Sequence, residues 1–207
     1  MILDFIETLL NFIQLSYSNI KMIQRVTNGK LRHPADGAQW RAINHSYKWS
    51  FSNEIRNIRF GLSMDGMNPF NMVSSNHSTW PVTLCIYNLA PWLCMKRTHL
   101  MMPILIQGPR QPRNDIDVFL QPLMEELLQL WRKGERVWDE YKKEHFKLKV
   151  LLFVTITDLP GLGSLSGQVT KGYKGCVVCL DGTCNISGLC ATQKCELLKK
   201  ICNEWIM

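Results

Sequence analysis

Two aspartates sit where chemistry on a phosphate would need them. Asp65 follows a stretch in which Ile58, Phe60, Leu62 and Met64 alternate with Asn57, Arg59, Gly61 and Ser63. Asp158 follows a nearly continuous apolar run from Val150 to Thr157. Alternation with a period of two predicts a strand, and a short unbroken apolar run predicts a strand covered on both faces. Acids at the ends of neighbouring strands in an open α/β sheet come side by side at one rim. Two close carboxylates repel, and each raises the other's pKa. A divalent cation relieves that cost. Mg²⁺ takes hard oxygen ligands and keeps positions open for water and phosphate oxygens. Two such ions, about 3.5–4 Å apart, activate a water or 3′-hydroxyl and stabilise the leaving oxygen. The spacing alone leaves another reading open, in which both acids merely cap turns. Asp65 precedes Gly66, and Asp158 precedes Leu159-Pro160-Gly161, both suited to turns.

The thiols carry a second signal. Six of the eight cysteines fall between Cys176 and Cys202. Cys176 and Cys179 form a C-x₂-C pair after Gly175, and Cys184 follows. Such a knuckle offers two thiolates at the bite of a tetrahedral Zn²⁺. Cys184, Cys190 and Cys195 are candidates for the remaining ligands. Reduced cysteines without metal are the alternative, because only one C-x₂-C pair is present. Arg110 and Arg113, in the loop that starts at Gly108, are candidate phosphate contacts, as are Lys171 and Lys174. A solvated loop explains the same charges. Trp80, Trp92, Trp131 and Trp138 read as core or groove-wall residues, with base stacking as the second reading. The five histidines are scattered and show no ligand spacing.

The elements that must position these residues follow from periodicity. Residues 1–30 are helix-like, with Ile2, Phe5, Ile6, Leu9, Leu10 and Ile13 at helical spacing. Ala38 to Lys48 predicts a short helix. Strands are predicted at Asn57–Met64, Val82–Tyr87 and Leu100–Ile106. A helix is predicted over Asp115 to Lys143, with its regular part starting at Pro122 and a break at Gly134. The strand at Val150–Thr157 closes the series. The order is β-β-β-α-β. Three linked strands suit an antiparallel meander, and a helical crossover lets the fourth lie parallel in the same sheet.

Bulk properties agree with a globular domain. The 207 residues are 46% hydrophobic and 10% aromatic, too apolar for a disordered chain. The 24 basic residues outnumber 17 acidic ones, a net charge of +7, which suits a polyanion through release of phosphate counterions. No run reaches the eighteen or so apolar residues of a membrane span. The start carries Asp4 and Glu7 and has no basic leader region, which argues against a secretory signal. A reducing compartment is therefore expected, so clustered thiols suggest metal before disulfides.

Several blocks together resemble a known family. They are Leu31-Arg-His-Pro-Ala-Asp-Gly37, Ser63-Met-Asp-Gly-Met-Asn-Pro-Phe70, Trp80-Pro-Val82 and Tyr87-Asn-Leu-Ala-Pro-Trp92. Next come Gly108-Pro-Arg110, Asn114 to Pro122, Thr155-Ile-Thr-Asp-Leu-Pro160, Leu165-Ser-Gly167, Thr170-Lys-Gly172 and the Cys176, Cys179, Cys184 knuckle. In this order they resemble the CACTA-type (En/Spm-like) plant DNA transposases, over roughly residues 28 to 184. The resemblance implies an α/β, RNase H-like fold with a DDE/D triad for metal-dependent DNA cleavage and strand transfer at transposon ends. Asp65 matches its first acid and Asp158 its second, with Mg²⁺ or Mn²⁺ as cofactor and Zn²⁺ at the cysteines.

The expected organisation is an unmatched helical segment 1–30, a partial catalytic domain 31–175, and a Cys-rich knuckle with a helical tail, 176–207. Residues 185–207 match no block, and neither Glu196 nor Glu204 has motif support as the third acid. The sequence therefore predicts an incomplete RNase H-like fold in a catalytically defective copy. The alternative is a noncatalytic zinc- or DNA-binding remnant or interaction module. The expected partners are DNA, at transposon ends, and intact transposase, in the nucleus, with no membrane.

Overall fold

The structure is a computed structural model that describes residues 9, 30–70, 77–108, 110–112, 115–158, 161 and 165. The expected N-terminal helix, Leu9 apart, lies outside the described residues. So do Arg113, Lys171, Lys174, Cys176, Cys179 and Cys184. The chain divides into two compact units. One comprises Met1–Leu62, Thr83–Pro103 and Glu125–Thr155, and the other Ser63–Val82, Ile104–Met124 and Ile156–Met207.

The described elements are helix α1 (Ala38–Ser46), strands β1 (Ile58–Met64), β2 (Trp80–Ile86) and β3 (Leu100–Ile106), helix α2 (Ile116–Arg132), and strands β4 (Glu135–Asp139), β5 (Glu144–Leu148) and β6 (Val150–Ile156). The architecture is mixed α/β. A four-stranded sheet has the order β3-β2-β1-β6, and β4 and β5 form a separate antiparallel pair. All four strands expected from periodicity are present, each within two residues of its expected ends.

Strand directions follow from hydrogen bonds at the strand ends. Tyr87 N–H, just past β2, donates to Arg59 O near the start of β1 (2.9 Å), so those strands run antiparallel. Ile58 N–H, opening β1, donates to Lys149 O, which precedes β6 (3.0 Å). Two neighbouring strands that start together run parallel. Asn57 fixes this start. It is 2% exposed. Its side-chain amide donates to Phe51 O (2.6 Å), and its Oδ1 accepts from Lys149 N–H (2.7 Å). Asn88 then accepts from Arg59 N–H (2.8 Å) and donates to Asn57 O (2.8 Å). Buried backbone groups need such partners, so these two side chains set the register among β1, β2 and β6.

The Leu31–Gly37 block is an anchor. His33 Nδ1 accepts from Ala35 N–H (3.2 Å), and Asp36 Oδ2 accepts from Arg32 and His33 N–H (3.0 Å each). The reciprocal bonds hold a tight turn over Pro34–Asp36, as in a capping box. This turn leads into α1, whose Trp40 packs with Ala35, Cys85 and Tyr87, flanked by Leu100 and Phe153. Arg59 lies over Trp40 (4.2 Å) and Phe51 (4.9 Å). Cys85 and Cys94 are buried free thiols, as their apolar surroundings imply.

Three expectations need correction. The helix expected to reach Lys143 stops at Arg132. Gly134 takes φ 67°, a left-handed conformation open to glycine at helix ends, and the chain turns into β4. Val137 and Phe146, paired across the hairpin, are both buried, so the alternation of a strand outweighs the charges that read as a helix surface. Second, the regular helix does not wait for Pro122, which lies inside α2. Pro122 frees the carbonyl of Val118, and both residues are exposed, where solvent can take that carbonyl. Third, β6 is covered only at its start. Val150, Leu151 and Leu152 are buried, whereas Val154 and Ile156 are exposed. The stripe of α2, formed by Ile116, Leu120, Leu123, Met124, Leu127 and Leu130, is buried, whereas Val118 is exposed.

Arg56 ties the hairpin to the entrance of β1. Its guanidinium meets Asp139 (2.9 Å), Glu144 (2.8 Å) and Glu54 (2.5 Å), and stacks over Phe146 (3.9 Å). Among the described residues, no helix is long and apolar enough to cross a membrane.

Candidate functional site

β1 and β6 are neighbours, start side by side and are each seven residues long. Their C-terminal ends therefore emerge at one rim. Asp65 is the first residue beyond β1 and Asp158 the second beyond β6. Both carboxylates are exposed. The two acids singled out by sequence thus follow the ends of neighbouring strands, and both belong to the same compact unit.

Local chemistry holds each acid. After Asp65, Gly66 lies flat on the indole of Trp80. A β-carbon at Gly66 would stand 2.7 Å from that ring. Trp80 is buried, and its Nε1 donates to Ser78 Oγ (2.9 Å). Met67 then pairs with Thr79 through two backbone hydrogen bonds of 2.8 Å. Asp65 therefore sits in a short interruption between β1 and a resumed antiparallel bridge. Gly66 is required by close approach. Gly66→Ala is expected to destabilise the chain by about 1–3 kcal/mol. Thermal melting of the purified variant checks this, and an unchanged melting temperature would contradict the packing.

At Asp158, Oδ1 accepts from Gly161 N–H (2.7 Å). A β-carbon at Gly161 would come within 2.5 Å of Thr157 Oγ1 and 2.8 Å of Asp158 Oδ1. Thr157 Oγ1 meanwhile donates to Asp158 O (2.8 Å). The Asp-x-x-Gly segment thus closes on itself as an Asx-type turn. The turn-capping reading of Asp158 holds: one carboxylate oxygen accepts the bond that closes the turn, and the side chain stays exposed.

Two hard-oxygen donors at a rim suit one or more Mg²⁺ ions that take their remaining ligands from water and phosphate. Among the described residues, no group of three or more His, Cys, Asp or Glu side chains gathers as a metal cage. Arg110 is exposed, consistent with its place in a basic loop. Trp80 is a wall residue, whereas Trp92 is 66% exposed and Trp138 38% exposed. Sequence reasoning missed Asn57 and Asn88. Asn57 reads as one polar residue of an alternating strand, and its partner Lys149 is remote in the chain, so no local signal marks it.

No curated protein and no solved structure matches the chain. The model of the transposase family tnp2 matches residues 28–200, and it covers the β1 and β6 acids, the register-setting asparagines and the Leu31–Gly37 anchor. The chain belongs to the tnp2 transposase family.

Proposed function

We propose that Asp65 and Asp158 are two acids of a DDE/D site in an RNase H-like domain of CACTA type, built for metal-dependent cleavage and strand transfer at transposon ends. The observation that carries this reading is their exit from adjacent parallel strands at one rim. The sheet order β3-β2-β1-β6, with β1 and β2 antiparallel and a helix in the connection that leads to β6, supports the RNase H-like assignment. Family membership supports DNA as the substrate.

In this reading the two carboxylates hold Mg²⁺ or Mn²⁺, which would polarise the scissile phosphate and activate the attacking hydroxyl. Asp65 and Asp158 bind and orient from the rim. Gly161 N–H keeps one Asp158 oxygen in place. Trp80 and Gly66 fix the backbone that carries Asp65. Arg110 is proposed to meet DNA phosphate. The proposal extends to Zn²⁺ at Cys176, Cys179 and Cys184, to Arg113, Lys171 and Lys174 as phosphate contacts, to association with intact transposase, and to a nuclear site of action. No residue of the 207 is assigned as the third acid, so these residues alone are expected not to cut DNA.

Iron-directed self-cleavage tests the metal site. Fe²⁺ replaces Mg²⁺ at the rim, and ascorbate with peroxide then generates radicals beside the ion. Backbone cuts are expected near both residue 65 and residue 158, suppressed together by excess Mg²⁺. Cuts confined elsewhere, or insensitive to Mg²⁺, would sink the assignment.

A further inference from the structure

The β2–β3 connection carries a second feature that the rim site does not use. Pro91–Cys94 forms one helical turn, and Arg97–His99 forms a tight turn just before β3. The connection is anchored from beneath. Leu89, Ala90 and Cys94 are buried. Cys94 Sγ donates to Pro91 O (3.4 Å), and Cys94 N–H donates to Ala90 O (3.0 Å). Lys96 N–H bonds to Leu93 O (3.0 Å), and His99 N–H to Lys96 O (2.8 Å). On this held backbone, Trp92 is 66% and Met95 64% exposed, next to the exposed Lys96 and Arg97.

An indole left largely in water forfeits the free energy of burial. Trp92 and Met95, three residues apart, both expose apolar surface beside two cations, the makeup of an apolar patch rimmed by charge. Neither Lys96 nor Arg97 forms an ion pair among the described residues. No Asp or Glu occurs between Asp65 and Asp115, so no acid within this whole stretch offsets their charge. An anionic partner with flat apolar faces satisfies both halves of the patch. Unpaired nucleotides have these properties: phosphates for Lys96 and Arg97, and a base face for Trp92. Duplex bases are already stacked and offer the indole no face.

We infer that the Pro91–His99 connection is a single-strand nucleic-acid contact, in which Trp92 stacks on an unpaired base and Lys96 and Arg97 hold the flanking phosphates. It deepens the reading of the chain as a DNA-processing protein but does not depend on Asp65 or Asp158. The purified chain is titrated into a fluorescein-labelled oligothymidylate and into a matched duplex, with anisotropy followed over a range of salt. Lys96→Ala/Arg97→Ala is expected to lower the log–log salt slope for the single strand by roughly 1.4, about 0.7 for each lost phosphate contact. Trp92→Ala is expected to weaken single-strand binding by roughly 5- to 100-fold at an unchanged slope. Trp92→Phe should keep most of the affinity.

Lys142→Ala/Lys147→Ala, the same charge loss placed on the β4–β5 hairpin, should leave the slope nearer that of the unaltered chain. An equal drop in this control means diffuse binding and overturns the inference. So does an unaltered chain that binds no oligonucleotide, or a Trp92→Ala effect seen only on self-association. Loss of metal-directed cleavage with these DNA effects intact would separate a failure at the rim from a failure here.

Discussion

Arg56→Met is expected to lower the stability of the folded chain by about 3–5 kcal/mol, the loss that follows when one partner of a buried ion pair is removed. The Arg56 side chain is 8% exposed and that of Asp139 fully buried. Glu54 and Glu144 are 30% and 50% exposed in their side chains, so their contribution is small beside that of Asp139. Methionine keeps the volume and the packing on Phe146, and what it removes is the charge. Asp139 would then be a carboxylate in an apolar site with two bonds left, from Tyr141 and Lys142 N–H (3.0 Å each). Urea denaturation measures the loss. A change under 1 kcal/mol would mean that the cluster contributes little. Arg56→Met/Asp139→Leu should recover much of the deficit, because it removes the uncompensated charge as well.

The pH dependence has a definite sign. Burial raises the Asp139 carboxyl, but hydrogen bonds from Lys142 N–H, Arg56 and Tyr141 N–H, with the charge of Arg56, hold it below its ordinary value. A depressed folded-state pKa gives stability that is present above the unfolded value and lost as pH falls through the folded one. The wild-type chain should therefore lose this contribution as pH falls through and below the ordinary carboxylate range. Without Arg56, burial has less opposing it and Asp139 protonates at higher pH. The penalty of Arg56→Met should accordingly be largest near neutrality and shrink on acidification. A penalty that grows in acid would contradict the assignment to Asp139.

These cases show what the sequence makes legible and what it leaves out. β1 stands out because its apolar residues alternate in the sequence, although both of its faces are buried, and α2 because its apolar stripe has a helical period. The acids at residues 65 and 158 are legible because each follows a segment whose apolar pattern, alternating in one and unbroken in the other, announces its end. The β4–β5 hairpin is not legible as such. Its five-residue strands carry Arg136, Trp138, His145 and Lys147 outward, and so brief an alternation next to a long helix reads as more helix. The Arg56 cluster and the Asn57 clamp are invisible locally, since their partners come from segments that only the folded sheet brings near. Composition likewise says nothing of which tryptophans are buried. Trp80 and Trp92 each follow or adjoin a proline in apolar surroundings, yet one walls the Asp65 strand and the other stands in solvent.

If the two rim acids share an ion, Asp65→Asn and Asp158→Asn should each lower Mn²⁺ affinity on the order of 100-fold, since loss of a supporting group alone costs about 10- to 100-fold and each acid here is a direct ligand. That corresponds to about 2.7 kcal/mol of binding free energy. Neither substitution should harm the fold, because both side chains are exposed. Asparagine can also still accept the Gly161 N–H bond that shapes the loop after β6. The double variant discriminates between arrangements. For one shared ion, the first substitution already brings binding to background, so the second adds little and the effects are strongly non-additive. For two independent weak sites, each single variant would keep half the bound Mn²⁺ at unchanged affinity. Electron paramagnetic resonance of free Mn²⁺ gives stoichiometry and affinity in one titration. Half-occupancy at full affinity would show two separate carboxylates, and the convergence of β1 and β6 would then have no catalytic meaning.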